Sequence, residues 1–282
     1  MTVRFRSRML TGFIACVAVA CAEGGTGSPA AVDPDALLRG SGTVLQAKDD
    51  DVPGLCLGGI ADSLPPQCDG IPIKGWDWDE VEGNKETASG TTWGSYEVVG
   101  TYDGATFTLK QVVGPPAYGN HDVDFTAPCD EPEGGWVADG PSNASLDDFR
   151  EVMHAAEAEP DSTAVWIDHL EKPVGEQMGP FIGVFGFTGD LERHEAELRE
   201  LWGGPICVFQ QTTPFRELRR IQDDLGDGGA AAVGLEQTDS GIDVTTNVVE
   251  VGAIVTSEEI ERALADRYGD GTVKVVAALV PA

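Results

Sequence analysis

Between Gly42 and Thr126 apolar and polar residues tend to alternate singly, the two-residue period of strands with one buried face. Gly42 to Gln46 predicts a first strand. Tyr96–Tyr102 and Ala105–Lys110 predict a hairpin turning on Asp103-Gly104, a pair favoured where both central residues of a type I′ turn take positive φ. Short strands, frequent glycine and no helical period predict a small β-barrel or sandwich here, with a strand, cysteine loop and hairpin in OB-like order.

Beyond Pro128 the period changes. Ser145-Leu-Asp-Asp148 reads as a capping box, after which Leu146, Phe149, Met153 and Ala156 recur at helical spacing until Pro160. Strands are predicted at 164–167, 181–187 and 206–209, and helices at 190–202 and from Pro214, which is placed at the first helical position. The glycine-rich run 226–234 reads as a flexible connection, and Asp239-Ser240-Gly241 as a turn. A strand at 248–255, a helix bearing Ile260, Leu264 and Tyr268, and a strand at 273–277 close the pattern. Leu198-x-x-x-Trp202-Gly203 matches Leu264-x-x-x-Tyr268-Gly269, so two βαβ units are expected, with right-handed crossovers in a mixed sheet. The fold class is therefore α+β: a β-rich domain over 41–127, then a ferredoxin-like α+β domain over 128–282.

Charge narrows the range of partners. With 18 basic and 48 acidic residues the formal charge is −30, and nucleic acid and anionic headgroups are repelled. No nucleic-acid partner is expected. The glycine cluster at 226–234 follows a helix instead of joining strand to helix, so it is no phosphate cradle, and no cofactor is expected.

The N-terminus carries the strongest local signal. Arg4, Arg6 and Arg8 precede an apolar run from Met9 to Ala20, too short for a comfortable membrane span, which ends at Ala18-Val19-Ala20-Cys21. This order of basic head, short apolar core, small residues and cysteine resembles the signal peptide of a bacterial lipoprotein precursor, and the body resembles exported bacterial lipoproteins. Ala18 stands where that family usually has leucine, and Cys16 would leave a shorter apolar core. The resemblance implies a signal peptide at 1–20, diacylation of Cys21 and a flexible tether over 21–40, placing the protein outside the cytoplasm and on the membrane. A plain secretory signal cut after Ala20 is the alternative; both export the chain. Loss of residues 1–20 would take the formal charge from −30 to −33.

Export settles how the cysteines are read. With Cys16 removed and Cys21 acylated, Cys56, Cys68, Cys129 and Cys207 remain, and three pairings are open. Cys56–Cys68 with Cys129–Cys207 is the natural one, because the first pair is local to the β domain. Loop-closure entropy assigns about 3 kcal/mol to the short loop and about 4–5 kcal/mol to the long one. No pair has zinc-ligand or thioredoxin-like spacing.

Catalytic signatures are sparse. There is no Gly-x-Ser-x-Gly and no His-Glu-x-x-His. His154 and His194 fall on predicted helices among acids, where surface placement is expected. His121, Asp122 and Asp124 form the one compact histidine–carboxylate group and the weak candidate for a metal; otherwise no metal site is expected. In Gly75-Trp76-Asp77-Trp78-Asp79 an extended backbone would put both indoles on one face and both carboxylates on the other, a candidate ligand surface or a pair of core tryptophans. Asp243 to Val251 is similar to a short stretch in the pro-regions of bacterial chymotrypsin-like serine proteases, α+β modules that chaperone and inhibit their protease. Two functions follow. One is a non-enzymatic, lipid-anchored binding module with an envelope protein or polymer as partner. The other is an envelope-polymer hydrolase using carboxylates near Trp76 and Trp78 or at His121–Asp124.

Overall fold

A computed structural model describes residues 33–81, 85–116, 123–138, 145–171 and 179–282. The chain is α+β, with its strands sorted into three sheets. Residues 1–32, including Cys21, and residues 121 and 122 lie outside the described part.

The first strands are β1 (Leu38–Gln46), β2 (Gly54–Cys56), β3 (Ile71–Lys74), β4 (Glu86–Ala88), β5 (Thr91–Tyr102) and β6 (Phe107–Gly114). β1 pairs antiparallel with β2, β2 with β3, β3 parallel with β6, and β6 antiparallel with β5. β5 then pairs with β1 over nine residues, from Leu38↔Gly100 to Gln46↔Thr92, so the pairing path returns to its start. Alternation explains the filling: Tyr96, Val98 and Tyr102 of β5 point inward with Val44, Leu55, Ile73 and Phe107. Gly100 shares that row, where a Cβ would collide with the Phe107 ring and the Thr108 carbonyl. The hairpin turns one residue later than expected. Asp103 N–H donates to the Thr106 carbonyl, its carboxylate accepts from Ala105 and Thr106 N–H, and Gly104 takes φ 90°. Asp103 is therefore the corner, and Gly104-Ala105 the centre.

Helix α1 (Leu146–Ala158) starts at the expected reciprocal capping box of Ser145 and Asp148. It is followed by β7 (Ser162–His169), β8 (Phe181–Phe187), α2 (Leu191–Leu201) and β9 (Ile206–Gln210). β8 is apolar throughout because both its faces are covered. On one side Phe149, Val152, Leu198 and Trp202 pack on Phe185 and Phe187. A Cβ on Gly183 would lie 2.7 Å from the Phe149 ring and 2.8 Å from the Trp202 ring, so the glycine lets both rings rest on the strand. On the other side Ile182, Val184 and Trp166 meet Ala127, Cys129 and Trp136 of the segment 123–138. That segment is held by Ala127 N–H to Asp168 Oδ2 (2.8 Å), Trp166 Nε1–H to the Phe125 carbonyl (2.9 Å), and the Cys129–Cys207 disulfide. Cys56 and Cys68 form the second disulfide, as the locality argument expected.

The same order of helix, two antiparallel strands, helix and parallel strand then repeats. Its elements are α3 (Phe215–Asp224), α4 (Ala230–Ala232), β10 (Gln237–Asp243), β11 (Val248–Ala253), α5 (Glu258–Tyr268) and β12 (Val273–Ala277). The two βαβ units occupy separate three-stranded sheets, not the single mixed sheet expected; periodicity cannot report which sheet a strand joins. Residues 225–229 form a wide helical turn kinked at Gly228, where φ is 108°, instead of an open link, because Leu225, Ala230 and Leu235 are anchored in the core with Leu218, Ile221, Val249 and Val251. Asp239–Gly241 lies in β10 and is no turn. Pro214 stands just before α3 as its cap, not inside it. Finally β13 (Leu279–Pro281) returns to the first sheet and pairs with β1 at Leu38–Gly40, so those three residues, assigned to the tether, are strand. β5 pairs with the same three residues at Gly100, Val99 and Val98, so partners from two distant segments hold them.

The turn Asp243–Asn247 joins β10 to β11. Burial pushes the Asp243 carboxyl up, but hydrogen bonds from Thr245 and Thr246 outweigh it and hold the pKa below the ordinary value. The stability these bonds give is present above the unfolded pKa of about 3.9 and is lost as pH falls through the lower folded value. Asp243→Asn should therefore cost about 1 kcal/mol near neutral pH, and the gap should close in acid. Urea melts of both proteins across that range check this; a gap independent of pH would contradict it.

Candidate functional site

Val249, Val251 and Ala253 of β11 face α3 and α5. Glu250 and Gly252, at the intervening positions, must point the other way. Across from that open face stand β1, β5 and β13, and between the two sheets lies a cleft of ≈ 730 Å³. Its geometry is fixed from behind: Ala278 N–H donates to the Ala253 carbonyl (2.8 Å) and Leu279 N–H to the Ile254 carbonyl (2.9 Å). Tyr102 of β5 adds a hydroxyl bond to Glu236 (3.2 Å), and burial with the Glu236 charge pushes its pKa up.

Polar groups reach the cleft from four strands: Arg39 and Ser41 of β1, Glu97 of β5, Asp239 of β10 and Glu250 of β11. Glu97, with a side chain 12% exposed, meets Arg39 Nη1 at 3.4 Å. Glu250 Oε1 meets Lys274 Nζ at 2.7 Å, and that hydrogen bond raises the lysine pKa. Asp239 accepts from Thr238 Oγ1 at 3.1 Å, and among the described residues no cation pairs with it. Its carboxylate lies over Gly252, where a Cβ would stand 2.6 Å from Oδ2. Gly241 faces open space: a Cβ there would meet nothing within 4 Å. The lining thus offers three carboxylates, one guanidinium and bare backbone, and it contains no histidine or cysteine. That composition favours a cationic group presented by an extended ligand.

The residues singled out from sequence lie elsewhere. Trp76 and Trp78 turn inward onto Tyr96, with ring centroids at 4.9 and 6.4 Å, and Trp78 Nε1–H donates to Gln46 Oε1 (2.8 Å). Asp77 and Asp79 are exposed, and the Asp77 carboxylate caps its own turn at Asp79 N–H (2.9 Å). Of the weak metal group only Asp124 is described; it is exposed and bonded to Thr126. His194, expected on the surface, is 1% exposed, because its ring stacks on Phe187.

Arg39 and Glu97 were not singled out, Asp239 was read only as part of a turn and Glu250 only as part of the stretch 243–251, since the four share no local motif. The one signal was an acid inside an apolar strand, as in Val248-Val249-Glu250-Val251. No family model matches the chain, and no curated protein matches it.

Proposed function

We propose that the protein is an exported, non-enzymatic binding protein of the cell envelope, anchored by a lipid on Cys21, that holds a basic segment of an envelope partner in the cleft between β1/β5 and β10–β12. The observation that carries this reading is the cleft itself: Glu97, Asp239 and Glu250 line one trough with Gly40, Gly241 and Gly252. Export is supported by the pairing of all four cysteines among the described residues, the usage of an oxidising compartment. No described helix is long and apolar enough to cross a membrane, and a lipid anchor requires none.

The strand order β1-β2-β3-β6-β5-β1, with β3 and β6 parallel, supports an OB-type barrel for the first unit. The repeated order of helix, strand, strand, helix, strand supports a duplication in which each βαβ crossover is half of a ferredoxin-like arrangement. On this reading the barrel and the second repeat form the two walls of the ligand site.

Gly241 lines the cleft and a Cβ there would meet nothing within 4 Å, so Gly241→Phe should place its ring in the cleft. It should leave stability within about 0.5 kcal/mol while abolishing capture of the partner from intact envelope. The acylation-deficient Cys21→Ala form is the soluble control. Capture of the same partner by Gly241→Phe would remove the cleft from the account.

A further inference from the structure

A second group of ligating side chains lies far from the cleft, where the end of α1 meets the start of α2. Glu159 caps α1, Asp161 follows in the turn to β7, and His194 sits in the first turn of α2. One ligand atom from each lies within 4.8 Å of the others. The His194 ring is held flat on Phe187, with centroids at 3.7 Å and an interplanar angle of 5°, and its Nε2 stands 2.9 Å from Asp161 Oδ2.

The same Nε2 is also 2.9 Å from Nη2 of Arg193. One nitrogen cannot satisfy both neighbours: toward the carboxylate it must carry a proton, and toward the guanidinium it must offer its lone pair. Arg193 also reaches Asp190 (2.8 Å), Glu197 (2.8 Å) and Glu159 (3.8 Å). Carboxylates of Glu159, Asp190 and Glu197 therefore gather around a single guanidinium and Asp161 adds a fourth at His194, leaving the group negative.

We propose that Glu159, Asp161 and His194 form a site for a divalent transition-metal cation, and that the Arg193 guanidinium is the resident charge the metal displaces. One imidazole nitrogen and two carboxylate oxygens suit Zn²⁺, Co²⁺, Ni²⁺ or Mn²⁺. The 2.9 Å between Nε2 and Oδ2 is the edge of an octahedron whose bonds are about 2.1 Å long. A metal also removes the conflict at Nε2, since it takes the lone pair and lets the carboxylate bind the same ion. Arg193 has somewhere to go, because Asp190 and Glu197 hold it independently of His194. A small cavity of ≈ 50 Å³ beside His194, Glu159 and Glu197 leaves room for a completing water. The ion would tie the end of α1 to α2, so binding should raise the melting temperature.

The test is a titration of the full-length protein with Co²⁺, read by its ligand-field absorption, with Zn²⁺ in competition. One equivalent should bind. Asp161→Asn and Glu159→Gln, both on partly exposed side chains, should each weaken binding about tenfold or more, while Arg193→Gln should strengthen it. Far-UV circular dichroism establishes that each variant is folded; if Asp161→Asn is not, Glu159→Gln and Arg193→Gln decide. Absence of a ligand-field band in both the wild type and Arg193→Gln would overturn the proposal. So would a band of unchanged affinity in the folded carboxylate variants.

Discussion

Asn247→Ala should destabilise the protein by about 2–4 kcal/mol, a large loss for one polar side chain. Asn247 is 6% exposed and sits at φ 60°, in the left-handed region that asparagine tolerates better than alanine. Its carboxamide stands in for a strand neighbour. Oδ1 accepts from Thr213 N–H (2.8 Å) and from Thr212 Oγ1 (3.2 Å), and Nδ2 donates to the Thr213 carbonyl (2.9 Å). Alanine would leave the part-buried Thr213 N–H and C=O without partners, at about 1 kcal/mol each, and add about 1 kcal/mol of backbone strain. Asn247→Gly should recover only the strain. Chemical denaturation of the two variants separates the terms, and equal losses in both would show that the hydrogen bonds dominate entirely. A loss under about 1 kcal/mol in Asn247→Ala would contradict the clasp.

Removing the Cys129–Cys207 disulfide by paired alanines should cost about 4–5 kcal/mol, against about 3 kcal/mol for Cys56–Cys68. The ordering follows from the sequence separations of 78 and 12 residues, which set how much freedom each bridge takes from the unfolded chain. The long bridge also has a local task. It fastens the segment 123–138 over Trp166, Ile182 and Val184, a sheet face that the helices on the other side cannot cover. Its loss should therefore free that segment as well as lower stability. Denaturation midpoints measure the first effect and amide exchange of Trp166 and Val184 the second. If the short bridge proves the more stabilising, the loop-entropy account fails.

Much of the secondary structure was legible because single elements obey local rules. The capping box at Ser145, the apolar run Phe181–Phe187 and the matched Leu198/Trp202 and Leu264/Tyr268 pairs each mark an element without reference to the rest of the chain. The errors cluster where a distant partner decides. Leu38–Gly40 became strand because β5 and β13 flank them. Residues 225–229 became a helical turn kinked at Gly228 because Leu225 and Ala230 are both drawn into one core. His194 went inside because Phe187 offers a flat face for its ring.

The candidate cleft was the least legible feature. Arg39, Glu97, Asp239 and Glu250 come from four strands of two sheets, and only the packing of those sheets assembles them. The motif-like stretches also have structural places. Trp76 and Trp78 pack against the core of the first sheet, and Asp243 to Asn247 builds a turn and a clasp. Residues that announce themselves in sequence are those with strong local geometry, whereas a binding trough needs only scattered acids at the right strand positions.

The central claim is that the cleft holds an envelope partner, and a photo-reactive residue placed at Ser41 tests it most directly. Ser41 lies beside Glu97 on the cleft wall, whereas Glu151, on the exposed side of α1, serves as the control position. Irradiation of intact cells should give a cross-linked species from position 41 that is missing from position 151, weakened by salt, and lost when Gly241→Phe is added. Equal cross-linking from both positions, or a species at 41 that persists with the cleft filled, would contradict the account.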